Sequence, residues 1–323
     1  MNRKKFSLFV MGIVLLLALA LAGCSSKEAA VFPSKDITLV VPYAAGGGTD
    51  LAARALAKEA EEILGTTIAI VNKPGGGSAP GMLEVSQAKP DGYNLVFVAP
   101  PVVTMYRLGT AEISYRDFQP VSGVNFDPFT VTVAADAPWN TVEEFLDYAR
   151  ENPGKVKVGT TTPGGAWHTG ALALESETGV DFNIIPFEKG AIPAVVDLLG
   201  GNLDAVTVSV PEVAPNIDSG ELKMLAVAGD NRVDVYPDVP TFKEVGIDVP
   251  PVGAYRGVMA PKETPEDVVK TLDQAFKDAA ASAGFKEFMT NNILGQMYMP
   301  TSEWTSFLEE QDEVFAKLIE NLE

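Results

Sequence analysis

Ile37-Thr38-Leu39-Val40-Val41 is a short apolar run, the pattern of a strand covered on both faces. Gly46-Gly47-Gly48 follows it. From Thr49 to Leu64 apolar residues recur at 51, 52, 55, 56, 63 and 64, close to helical period, until Gly65 stops the run. Ile68-Ala69-Ile70-Val71 predicts a second strand, leading into Pro74-Gly75-Gly76-Gly77. Leu83–Ala88 predicts a helix, and Pro90-Asp91-Gly92-Tyr93 turns into a strand at Leu95–Val98. This alternation predicts α/β units around a mainly parallel sheet.

The pattern restarts after Phe129–Ala134. Thr141 and Glu144 have capping-box spacing for a helix at Val142–Arg150. A strand at Val156–Val158 runs into a second loop of glycine and hydroxyl residues, Gly159–Gly165, and then into a helix at Trp167–Thr178. Ile184–Phe187 and Ala205–Val208 predict further strands, separated by a helix that ends at Gly200-Gly201. Thr264-Pro265 starts one late helix, with Pro at its first position. Thr301-Ser302-Glu303 starts another, striped with Trp304, Phe307, Leu308, Phe315, Leu318, Ile319 and Leu322. Each half of the chain therefore repeats one unit: strand, glycine-rich loop, helix.

Composition narrows the classes. At 323 residues and 46% hydrophobic the chain is long enough for about two domains and too apolar for disorder. Its formal charge is −19, and because Arg3, Lys4 and Lys5 are the only charges before Cys24, the rest carries −22. Such an acidic balance excludes nucleic acid as a partner. One Cys and one His exclude a disulfide framework and a zinc site built mainly from those residues; counting leaves a carboxylate-rich calcium site open, but no Asp-x-Asp-x-Asp-Gly loop occurs, and no metal or cofactor is expected.

The chain opens with Arg3-Lys4-Lys5, an apolar run from Phe6 to Leu21, and Leu21-Ala22-Gly23-Cys24. Residues 1–23 read as an export signal. Its end looks like the bacterial lipoprotein box, which makes Cys24 a lipid-modified N-terminus, residues 24–35 a tether, and all that follows extracytoplasmic. The other reading is a transmembrane anchor, since about 18 residues marginally span a bilayer.

The two glycine loops carry the candidate chemistry. A helix N-terminus leaves backbone N–H groups unpaired and is partly positive, and glycine lets a ligand approach the main chain. Neither loop contains Lys or Arg, whereas phosphate sites usually recruit one. Two opposed loops of this kind suit a mono- or dicarboxylate. No Gly-x-x-x-x-Gly-Lys-Ser/Thr, Gly-x-Ser-x-Gly or His-Glu-x-x-His occurs, so nothing marks the chain as an enzyme.

Several segments together resemble the solute-binding receptors of tripartite tricarboxylate transporters, the Bug-type family. They are Val41-Pro42-Tyr43-Ala44-Ala45-Gly46-Gly47-Gly48-Thr49-Asp50 with Arg54, Asn72-Lys73-Pro74-Gly75, Pro90–Leu95, Gly159 to His168, Asp197–Gly201, and Pro237–Gly246. The resemblance covers about residues 36–310 and implies a two-domain periplasmic-binding-protein (Venus flytrap) α/β fold with two crossover strands. These would lie near Phe129–Ala134 and Tyr255–Ala260, giving domain 1 residues 36–130 plus 257–323 and domain 2 residues 131–256. It implies a monomer that binds a small carboxylate and serves integral membrane subunits of a transporter, or else a sensor acting with a membrane signalling protein.

By position, the resemblance assigns ligand contacts to Tyr43, Ala45, Gly46, Gly47, Gly48, Thr49 and Asp50 in the first loop. In the second it assigns Thr160, Thr161, Thr162, Gly164, Gly165, Ala166 and His168. Asp50 either faces the ligand or pairs with Arg54 four residues on. Phe187 and Trp167 are pocket walls or core, and Trp167 departs from the family's small-polar second loop in a way that would roof the site. Glu188 either enters the cleft or stays in solvent, in a segment one residue longer than the family's common form.

Overall fold

Ile37–Val41 (β1) lies between two parallel neighbours, Ile68–Asn72 (β2) and Asn94–Val98 (β3). The computed structural model describes residues 32–188 and 190–320, and the compact unit built on these strands begins at Lys35. The expected signal peptide and Cys24 lie outside the described residues. Gly48–Leu64 (α1) crosses from β1 to β2 and buries an alanine-rich face, Ala52, Ala53, Leu56, Ala57 and Ala60. Gly65 ends it in the left-handed conformation, φ +65, with its N–H on the Glu61 carbonyl at 2.9 Å. Ala79–Ser86 (α2) precedes β3, and Pro101–Arg107 (α3) follows it.

Phe118–Ala134 (β4) is one strand of 17 residues, of which the apolar pattern predicts only the last part. Its first part pairs with Gly253–Pro261 (β9) and Gln296–Met299 (β10). Its second part pairs with Ala205–Ser209 (β7) and Leu222–Val227 (β8). The second half is completed by Lys157–Thr161 (β5) between β7 and Asn183–Phe187 (β6), both parallel to it. Helices Val142–Glu151 (α4), Ala166–Thr178 (α5), Ala191–Leu199 (α6) and Val210–Asp218 (α7) flank it. The strand order is β2-β1-β3-β9-β4-β7-β5-β6, with β8 and β10 also on β4.

β4 and β9 carry the chain between halves. Phe129, Val131 and Val133 of β4, with Val252 just before β9 and Ala254 within it, belong to one apolar core. Tyr255 and Met259 of β9 belong to the other. After Glu266–Ala281 (α8) and Ala283–Asn291 (α9), the last helix, Thr301–Glu320 (α10), buries Trp304 and Leu308 in the latter, first-half core and Leu318 in the former, second-half core. Asp312 fastens α10 to the first half, accepting from Arg107 Nε and, at 2.7 Å, from Arg116 Nη2.

Some details differ from the sequence reading. The residue at the cap of α8 is Pro265 itself, with Glu266 first in the helix. The Thr141 side chain accepts from the Glu144 N–H, but the Glu144 carboxylate returns to the amide of Asn140, so the capping box is shifted by one residue on one side. β5 continues to Thr161, so Gly159, Thr160 and Thr161 of the predicted second loop are strand.

Candidate functional site

The chain leaves β1 through Pro42 and reaches α1 by a loop whose hub is Asp50. This carboxylate is 1% exposed. Its Oδ2 accepts from the Gly46 N–H at 2.8 Å and from Arg54 Nε at 2.9 Å, and its Oδ1 accepts from Asn72 Nδ2 at 2.8 Å. Asn72 also donates to the Tyr43 carbonyl at 3.2 Å and accepts from Arg54 Nη2 at 2.9 Å. Burial pushes the Asp50 carboxyl up, but the bonds from Arg54, Gly46 and Asn72 together hold it below its ordinary value. Asp50 therefore sits in the Arg54 pair, with its oxygens occupied inside the loop. Gly46, at φ +82, supplies the left-handed turn that lets its N–H point back to Asp50.

The donor set shifts as a result. The N–H of Gly46 is taken by Asp50, and that of Gly47 leans on the Ala44 carbonyl at 3.5 Å. The first bond of α1 runs from the Leu51 N–H to the Gly47 carbonyl. The N–H groups of Gly48, Thr49 and Asp50 precede it and have no acceptor among the described residues. Ala45 is exposed at the loop tip.

Two buried side chains that act on each other electrostatically, Tyr43 and Arg256, lie on this side of the fold. The hydroxyl of Tyr43 is buried, and burial pushes it up to about 12 against the opposing pull of Ser78, Arg256 and the Ala99 backbone. Arg256, on β9, is 7% exposed. Its Nε donates to Thr49 Oγ1 at 3.2 Å, and its Nη1 is held by Asn125 and Asp127 of β4. Asp127 in turn accepts from the Gly295 N–H at 2.7 Å. A side chain on Gly48 would place its Cβ 3.2 Å from Arg256 Nη2. The site reading from the loops alone misses Arg256. Its signal is a lone charge in the otherwise uncharged strand Gly253–Pro261.

The second loop is built similarly. Gly164, at φ +75, directs its N–H to His168 Nδ1 at 3.4 Å, and the Gly165 N–H binds the Thr162 carbonyl at 2.9 Å. The first bond of α5 is Thr169 N–H to the Gly165 carbonyl, leaving the N–H groups of Ala166, Trp167 and His168 without acceptors among the described residues. His168 is half-buried, and burial lowers its imidazole, consistent with a neutral ring whose Nδ1 accepts. Thr160 is buried, Thr161 half-buried and Thr162 exposed.

Trp167 is 5% exposed, packed in the second core with its carbonyl held by Thr207 Oγ1 at 2.9 Å, so it does not roof a cleft. Phe187 is half-buried against the same core, and Glu188 is exposed. The second loop meets the first half through α3: Thr104 Oγ1 donates to the Gly164 carbonyl at 2.9 Å. Pro100, Thr104, Ala166, Thr169 and Tyr255 line a void of only about 10 Å³ at this seam.

The tripartite tricarboxylate transporter family receptor model, TctC, matches residues 52–323. The chain belongs to this family. A TctC relative in Cupriavidus necator, described as a UPF0065 protein in the gbd 5′ region, is 36% identical over 314 residues, covering 94% of this chain and 93% of the relative. The crystal structure of a TctC solute-binding protein from Polaromonas is 38% identical with a TM-score of 0.80, covering 90% of this chain and 99% of that one. MatC from Rhodopseudomonas palustris, solved with bound malate, is 28% identical with a TM-score of 0.73, covering 90% of this chain and all of MatC (100%). The α/β, two-domain periplasmic-binding-protein architecture expected from the sequence is thus the TctC architecture, and the chain is a solute-binding receptor. No described helix of this TctC receptor is long and apolar enough to cross a membrane.

Proposed function

We propose that this receptor captures a small di- or tricarboxylate between its two halves and delivers it to the integral membrane subunits of a tripartite transporter. The observation that carries this reading is the pair of helix starts, α1 and α5. Each presents three backbone N–H groups without acceptors among the described residues, at the carboxyl ends of β1 and β5. An acid group placed at either would satisfy amides that now lack a partner and meet the positive end of the helix. MatC, with its bound malate, supports the same ligand class.

Ligand contacts come from residues 48–50 and Tyr43 on one side, and from residues 166–168 with the Thr160–Thr162 hydroxyls on the other. The halves, residues 36–130 with 257–323 and residues 131–256, close about β4 and β9, and contacts made only when closed favour that state. Cys24 anchors the receptor to the outer face of the cell membrane through a lipid.

Thermal unfolding of the purified protein against a panel of mono-, di- and tricarboxylates, sugars and amines tests the ligand class. A rise in Tm with at least one carboxylate is expected. Stabilisation by a sugar or amine, and by no acid, would replace the proposal.

A further inference from the structure

The described groups around the start of α1 include one cation whose placement runs against the helix. Arg256 is more than nine-tenths buried and lies directly under Gly48, at the end of α1 that already carries partial positive charge. Asp127 neutralises it, and Asn125 and Thr49 take two further donors. Nη2 has no acceptor among the described residues. It is the edge of the guanidinium that faces Gly48, and the missing Cβ there is what lets the guanidinium come so close to the helix start. Glu212, across in the second half, is close enough for Arg256 to act on its charge, but its carboxylate is held by the amide and hydroxyl of Ser209, both at 2.8 Å.

A guanidinium Nη2 edge and three backbone amides, none with an acceptor among the described residues, therefore meet at the start of α1. Two strands fix the guanidinium there. Alternation along β9 turns Tyr255 toward Trp304 and Arg256 to the opposite face, where Thr49 lies.

We propose that Arg256 is a specificity-determining ligand residue, its Nη2 edge and the amides of residues 48–50 gripping one ionised carboxylate of the ligand. The inference deepens the carboxylate reading of the cleft and depends on it. It also changes that reading, because the acid at the start of α1 is then held by a formal cation from the crossover strand β9 and not by amides and hydroxyls alone. A guanidinium distinguishes an ionised acid from its neutral amide, whereas helix amides and hydroxyls accept either carbonyl. The second half, with no such cation among its loop residues, tolerates a neutral group.

The test is calorimetry on the full-length protein in mild detergent, with malate, glutarate and adipate and the monoamide of each. Wild type should prefer a diacid over its monoamide by about tenfold or less, since the monoamide can still place its acid on Arg256. Arg256→Gln should weaken the diacid by about 30-fold and the monoamide by less than about threefold, because the neutral end can then occupy the first half. Arg256→Lys keeps the charge and the Asp127 pair, and should fall between the two.

Equal losses for diacid and monoamide, or affinities unchanged in both variants, would overturn the role of Arg256 and leave the carboxylate reading standing. Should neither variant fold, the diester of each acid is titrated into wild type, and binding as tight as the diacid's overturns the role of Arg256. Failure of every diacid to bind wild type would instead overturn the reading of the cleft, and this inference with it.

Discussion

Thr104 Oγ1, on α3 of the first half, donates to the carbonyl of Gly164 in the second-half loop at 2.9 Å. Both residues are buried, so the bond is shielded from water. Gly164 also has to be glycine, because at φ +75 a Cβ would lie 2.5 Å from Leu108 Cδ1 and 2.9 Å from Thr104 Oγ1.

Removing this bond has a defined cost. Thr104→Val keeps the shape and leaves the Gly164 carbonyl unsatisfied, so a loss of about 1–2 kcal/mol is expected in urea unfolding. Gly164→Ala adds backbone strain and a clash, and should cost more, about 2–4 kcal/mol. A Gly164→Ala variant as stable as wild type would show that the loop is not seated on α3.

Asp50 sets the shape of the first loop. Asp50→Asn turns an NH2 toward donors that need an acceptor, so stability should fall by about 2–3 kcal/mol and carboxylate affinity should fall with it. The pH dependence follows from its lowered value in the fold. Its contribution is complete above the unfolded value of about 3.9 and is lost as pH falls through the lower folded value. Acid unfolding followed by circular dichroism should show this loss in wild type and its absence in Asp50→Asn.

His168 is the only histidine in the chain, so its imidazole resonance can be followed alone. Burial lowers its value in the fold, so the unfolded chain takes the proton first as pH drops below about 6.5. Stability should therefore decline from about pH 6.5 down to the folded value, with loss of the Gly164 N–H to Nδ1 bond. His168→Gln should remove the decline. An imidazole titrating at or above about 6.5 in the native protein would contradict this.

Asp312 is 2% exposed and takes Arg107 and Arg116 together. Burial pushes its carboxyl up, and the two guanidiniums overcome that and hold it low. Asp312→Ala leaves both without their acceptor and frees the middle of α10, so a loss of about 2–3 kcal/mol is expected in chemical denaturation. A change under about 0.5 kcal/mol would mean that the apolar contacts of Trp304, Leu308 and Leu318 alone fix this helix.

The parallel strands β1, β3 and β7 were legible because helices cover both faces, which makes them unbroken apolar runs. The first part of β4 was not, because Pro120, Gly123, Asn125 and Asp127 break its pattern. The last three answer to partners remote in sequence: a Cβ on Gly123 would lie 2.6 Å from Trp304 Cε3, and Asn125 and Asp127 serve Arg256 and Gly295. α7 hid behind Pro211 and Pro215. In the site, the loops were visible as glycine runs, but which amides remain open depended on Asp50 and His168 turning back on their own loops. Arg256 reaches the first loop from 207 positions away, beyond any local pattern.

The central claim is that an acid group docks on the open amides at the start of α1. A crystal structure with the carboxylate that most raises Tm tests it directly. The account predicts acid oxygens about 2.7–3.2 Å from the N–H groups of residues 48–50. A ligand bound elsewhere, with those amides still facing solvent, would contradict it.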